Sequence, residues 1–176
     1  MNCRKPQITA SRILCGVAMA LVLGLPISYA ADRGEQTDPG PWKFGSEIDV
    51  LPYATGGFYG SVFAGRSNWR FRGVAARSTT PSFLVTDGFT DKRTDAVALL
   101  FDRFFGSKGR SLEGFWIGGG AEHWRTRIRA EQSPEFAHYN DFVLTIGSGY
   151  VWGFSRHLYL NPWVGGHFVV VGDRTI

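Results

Sequence analysis

Alternation of apolar and polar residues over short segments constrains this chain more than any other feature. In Asn140–Trp152, Phe142, Leu144, Ile146, Tyr150 and Trp152 fall on one side of an extended chain. Asp141, Val143, Thr145, Gly147 and Gly149 fall on the other. A period of two over this length means a β-strand. The bulky apolar side has aromatic ends and the opposite side is smaller and wetter, as a strand requires when lipid lies outside it and a polar interior lies within.

Six more segments repeat the pattern, and together they predict strands over 42–51, 57–65, 68–77, 95–105, 113–127, 140–152 and 157–171. In the first, Trp42, Phe44, Ile48 and Val50 oppose Lys43, Glu47 and Asp49. In the third, Trp69, Phe71 and Ala75 oppose Arg70, Arg72 and Val74, and in the fourth Val97, Leu99, Phe101 and Phe105 oppose Asp102. The fifth turns Phe115, Ile117, Gly119 and Ala121 outward and Trp116, Gly118, Gly120 and Glu122 inward. The seventh sets Leu158, Leu160, Val164, Phe168 and Val170 against Tyr159, Asn161, Trp163 and His167. In the second segment the two faces cannot be told apart. Frequent glycine argues against helices, where each costs ~1 kcal/mol relative to alanine.

The first thirty residues read differently. Arg4, Lys5 and Arg12 precede an apolar stretch from Ile13 to Ile27, and Ser28-Tyr29-Ala30 is a small-x-small cleavage site. This is the form of a secretion signal, and the stretch is shorter than the ~20 residues a helical anchor needs. Cleavage after Ala30 removes both cysteines, Cys3 and Cys15, and most of the net positive charge. The remainder then has no disulfide framework and no basic excess to argue for nucleic-acid binding. Residues 31–41 are expected to form a loose periplasmic leader, and 42–176 one domain.

Connection lengths add a second, independent signal. The connections at Arg66-Ser67, 106–112 and 153–156 are short, whereas 78–94 is long and 128–139 intermediate. Outer-membrane barrels place short turns on the periplasmic side and longer loops outside. Seven strands are an odd number, however, and a closed antiparallel wall of a bacterial barrel takes an even one. The expectation is that an eighth strand follows beyond Ile176.

On these strands, the signal, the loop asymmetry and aromatic residues at Trp42, Trp69, Trp152 and Trp163, residues 42–171 resemble the small bacterial outer-membrane β-barrels of the OmpA-like, eight-stranded class. The resemblance implies an all-β, antiparallel up-and-down transmembrane barrel, delivered by the barrel-assembly machinery and monomeric in the outer membrane. Members of this class serve as structural anchors, adhesion or defence proteins, narrow pores and lipid-A-modifying enzymes. It therefore implies fold and location better than activity.

Two constellations stand out. Glu47, Asp49, Arg70, Arg72, Asp102 and Glu122 all project inward in this register, where ~8 strands leave room only for side chains. They are expected to form a salt-bridged plug, with a gated ion path as the alternative. Arg125, Arg127 and Arg129 share the face that continues the lipid-facing row, where they can meet lipopolysaccharide phosphates or simply end a solvated strand. A hydrolase reading would draw on His123, His157, His167, Ser148 and Asp141, but the His-x-Ser spacing of barrel deacylases is absent. No metal site or cofactor emerges, and Gly118-Gly119-Gly120 lacks the Lys-Ser/Thr that a phosphate loop needs. The expected role is structural or surface-interacting and non-enzymatic, with lipid-A or phospholipid modification, a narrow pore and a soluble lipocalin-like barrel as alternatives.

Overall fold

The computed structural model describes residues 22–27, 40–81, 83, 85, 87–155 and 158–175. It is an all-β, antiparallel, up-and-down sheet: β1 (Val22–Ile27), β2 (Lys43–Asp49), β3 (Phe58–Arg66), β4 (Trp69–Thr79), β5 (Phe89–Phe104), β6 (Gly114–Ala130), β7 (Phe136–Gly153), β8 (Tyr159–Leu160) and β9 (Trp163–Thr175). A short helix, α1 (Leu51–Ala54), joins β2 to β3. From β2 to β7 each strand pairs with the next in sequence. β8 and β9 are one strand interrupted at Asn161-Pro162, and both pair with β7. Proline has no N–H to give to a ladder, which accounts for the break.

An eighth strand comes from the stretch read as an export signal, ahead of β2 in the chain. β1 pairs with β2 over six residue pairs, Val22↔Asp49 to Ile27↔Phe44, and with β8 over two. An unpaired strand edge presents a row of free N–H and C=O groups, and any extended segment can satisfy it. Along β9, among the described residues, the edge away from β7 has no strand partner. The remainder of the export-signal reading over 1–30, including its cysteines, lies outside the described residues.

The loop-length expectation does not hold. β4 runs to Thr79 and β5 begins at Phe89, so the long connection shrinks to 80–88, and β6 and β7 leave only 131–135 between them. These are no longer than 105–113 at the opposite end. The asymmetry lies in the strands instead: β5, β6 and β7 have 16, 17 and 18 residues and extend well past the apolar zone. Sequence periodicity missed these extensions because charged, polar and aromatic residues share both of their faces, and alternation then carries no signal.

Strand register sorts the side chains into rows. Ile48, Gly60, Ala75, Val97, His123 and Phe142 are consecutive cross-strand neighbours on the outward face. The next row is Ser46, Val62, Gly73, Leu99, Ala121 and Leu144. In the second predicted strand, whose faces the sequence did not separate, Phe58 and Val62 are exposed and Ser61 is buried. Toward the end bearing Lys43, the outward face becomes aromatic, with Trp42 near Phe44, Trp69 on Phe101, Phe105 near Phe115 and Tyr150 near Trp152. Trp163 does not belong with them: it packs from the inside on Phe104, Leu112, Trp116, Val151 and Tyr159.

The interior is thus the polar side of this protein. Among the described residues thirty large hydrophobic side chains are exposed and six hydrophobic ones are buried, whereas Glu47, Asp49, Arg70, Arg72, Asp102, Glu122 and Asp141 are all buried. Half-exposed side chains of this size leave on the order of 2,000 Å² of apolar surface outward. Soluble monomers rarely expose a contiguous apolar patch beyond a few hundred Å².

Candidate functional site

Four of the six inward charges meet in one cluster, contributed by β2, β4 and β5. Asp102 accepts hydrogen bonds from Arg70 Nε at 2.8 Å, Arg72 Nε at 2.7 Å and Arg72 Nη2 at 2.9 Å. Glu47 accepts from Arg70 Nη1 at 2.8 Å and lies 3.5 Å from Arg72 Nη1. Two carboxylates thus face two guanidiniums, and the cluster is neutral. Register explains the convergence: Arg70 stands opposite Asp102, and Arg72 is two residues further along the same inward face.

Neutral side chains complete it. Ser61 Oγ, Tyr159 Oη and Asn161 Nδ2 donate to Glu47, and Trp116 Nε1 donates to Asn161 Oδ1 at 2.8 Å. Arg70 Nη2 has no hydrogen-bond partner among the described residues. Its guanidinium instead sits between aromatic rings, 5.0 Å from the centroid of Phe104, 5.5 Å from Trp116 and 5.6 Å from Phe63. Rings at this distance stabilise a desolvated cation. Gly118 is required beside it, because a Cβ there would lie 2.2 Å from Asp102 Oδ1.

Sequence reasoning had singled out charges, and so it missed Ser61, Trp116, Tyr159 and Asn161 as members. The inward parity of the last three was nevertheless visible in the alternation.

Asp49 and Glu122 lie apart from this cluster. The Asp49 carboxylate accepts the Leu51 N–H at 2.9 Å and ties down the start of α1. Glu122 accepts from Trp124 Nε1 and Thr145 Oγ1, each at 2.5 Å, and lies 3.5 Å from His167 Nδ1. Thr145 Oγ1 also meets His167 Nδ1 at 2.8 Å. With the hydroxyl proton given to Glu122, the imidazole Nδ1–H is the donor in that contact. Thr145 and Trp124 were not anticipated as partners. Thr145 could have been found from its inward parity.

The remaining hydrolase candidates do not come together. Ser148 shares the outward face with Ile146 and Tyr150, whereas His167 points inward; His123 lies on the outer row, and His157 is outside the described residues. Among the described residues no group of three His, Cys, Asp or Glu side chains is placed to hold a metal.

The basic row lies beyond the apolar zone on the outward face of the strand extensions. Arg125 and Arg127 are exposed and Arg129 is half-buried. The register places Arg125 opposite Asp95, and Arg127 opposite Arg93. Asp95 is bound by Arg77 at 2.5 Å, and Arg129 is bound to Asp91. The Arg77 hydrogen bond holds the Asp95 carboxyl below its usual range against partial desolvation, with further help from nearby arginine charge. Arg127 and Arg129 also stack over Phe136. Comparison with protein-family models, curated proteins and solved structures found no match to the chain.

Proposed function

We propose that this chain is an outer-membrane β-barrel with a structural or surface-interacting role in a Gram-negative envelope. The observation that carries the reading is the inverted sorting: a charged, hydrogen-bonded interior inside a continuous apolar exterior. A soluble barrel needs the opposite arrangement, since its apolar residues must leave water. Among the described residues no helix is long and apolar enough to cross a membrane. Crossing by strands needs ~9–11 residues at a tilt near 45°. The outward apolar run of β7, from Phe142 to Trp152, is eleven residues long.

In this reading the aromatic end sits at the periplasmic boundary. The strand extensions with Arg125, Arg127 and Arg129 stand outside, above the hydrocarbon edge, where lipopolysaccharide phosphates are the nearest anions. The paired charges of the interior are a plug rather than a path. Glu47, Arg70, Arg72 and Asp102 pair with one another, and the aromatic cluster around Trp116 fills the lumen beside them.

Extraction and gel migration test the fold placement. The protein is expected to require detergent and to migrate differently before and after boiling. Full solubility in buffer without detergent refutes the reading.

A further inference from the structure

The outward face contains a groove that neither the plug nor the basic row accounts for. It has a volume near 880 Å³ and runs between two adjacent rows of side chains from β2 to β7. Ser46, Gly60, Gly73, Ala75 and Ala121 lower its walls, while Val62, Leu99 and Phe142 stand up along it. Glu47, Ser61, Val74, Ala98 and Glu122, the inward-facing positions between the rows, also line it. Six strands at ~4.8 Å spacing make it ~24 Å long. Strands tilted near 45° turn this length into a diagonal that descends ~17 Å, about one leaflet of a ~30 Å hydrocarbon core.

Positive charge flanks the groove on β6. Arg125 is two residues beyond His123 on the same face, ~7 Å along the strand, and Arg127 is two further. Five arginines, Arg77, Arg93, Arg125, Arg127 and Arg129, share this outward zone with Asp91 and Asp95. Asp95 is engaged by Arg77 and Asp91 by Arg129, and among the described residues neither Arg125 nor Arg127 forms a salt bridge. An apolar channel one leaflet deep, flanked by two guanidiniums that form no salt bridge, is complementary to an acylated, multiply phosphorylated glycolipid. Guanidinium forks bind phosphate oxygens through paired, charge-assisted hydrogen bonds.

We propose that this surface is a binding site for one lipid-A-type glycolipid, with an acyl chain in the groove and a phosphate on Arg125 and Arg127. The site rests on the membrane-barrel reading and makes it specific. The row anticipated from sequence is narrowed to two arginines, because Arg129 is held by Asp91.

The test is native mass spectrometry of the full chain in detergent, titrated with bis-phosphorylated lipid A and, separately, with phosphatidylglycerol. Gly60→Leu/Gly73→Leu fills the groove without touching the arginines. A Cβ at Gly60 meets nothing within 4 Å, and at Gly73 only Val62 Cγ2 at 3.9 Å. Arg125→Ala/Arg127→Ala removes the phosphate contacts and leaves the groove. Each variant is expected to lose ~10-fold or more in lipid-A affinity, the equivalent of about 1.4 kcal/mol. Phosphatidylglycerol should bind the unaltered protein more weakly than lipid A.

Unchanged lipid-A binding by the groove-filled protein, or equal binding of the two lipids, overturns the proposal. Should Gly60→Leu/Gly73→Leu not fold, Ala75→Leu fills the same channel from β4. Heat-modifiable, detergent-dependent protein that binds no lipid A sinks this site and leaves the barrel reading standing. Protein soluble without detergent sinks both.

Discussion

Asp102→Asn should be the most damaging isosteric change in this protein. Asp102 is fully buried and receives three guanidinium hydrogen bonds of 2.7–2.9 Å from Arg70 and Arg72. Replacing the carboxylate with an amide leaves two buried guanidiniums to Glu47, which lies 2.8 Å from Arg70 but 3.5 Å from Arg72. Shape is kept and one unit of positive charge is left uncompensated. Removing one partner of a buried pair costs ~3–5 kcal/mol. Arg72→Met on the same background restores neutrality, so the double variant should be more stable than Asp102→Asn alone, with a coupling of up to ~3 kcal/mol. Urea unfolding of the micelle-folded protein, followed by tryptophan fluorescence, measures both. Trp116 lies 5.1 Å from the Arg72 guanidinium and should report the loss of the cluster directly. A cost below ~1 kcal/mol for Asp102→Asn, the range of exposed pairs, refutes the dry-plug reasoning, because it means that water already solvates these charges.

Other outcomes follow from the same geometry. Trp116→Phe keeps a ring near Arg70 but leaves Asn161 Oδ1 without its indole donor, and should cost ~1–3 kcal/mol in the same unfolding assay. Gly118→Ala forces a Cβ onto Asp102 Oδ1 and should destabilise the fold, whereas Gly60→Ala, with open space around it, should not; their melting temperatures make the comparison. The Asp95 carboxyl titrates below its unfolded value, so its bond to Arg77 contributes stability above an unfolded pKa of ~3.9 and loses it as pH falls through the lower folded value. Wild type should therefore exceed Asp95→Asn in melting temperature at pH 6, and the difference should vanish in strong acid; being half exposed, the pair contributes at most ~1 kcal/mol. Mass spectrometry of protein taken from the envelope tests the export signal: cleavage after Ala30 predicts a mature chain without β1, and a chain that retains Val22–Ile27 contradicts it.

Strand existence and facing were legible because the period of two is local. Phe142, Leu144 and Ile146 alternate with Asp141, Val143 and Thr145 whatever lies next to them, and the inward placement of Glu47, Arg70, Arg72, Asp102 and Glu122 follows from that parity alone. Parity does not say which inward residues touch. That is decided by register, which couples residues as distant in sequence as Glu47 and Tyr159, and by the space that Gly118 leaves for Asp102. Register separated Asp49 and Glu122 from the central cluster, while Trp163 follows the inward parity of Tyr159 and Asn161 rather than the expected girdle. Register also paired Arg129 with Asp91 across a bulge in β5, where Asp91 adopts φ 51°.

The sequence by itself thus determined an all-β chain with a polar inside and an apolar outside, because side-chain alternation is a property of each strand separately. Only the tertiary structure decided the neutrality of the charge cluster, the length of the strand extensions and the groove beside Arg125. Each of these is a relation between strands, set by backbone hydrogen bonds that carry no residue-specific mark in the sequence.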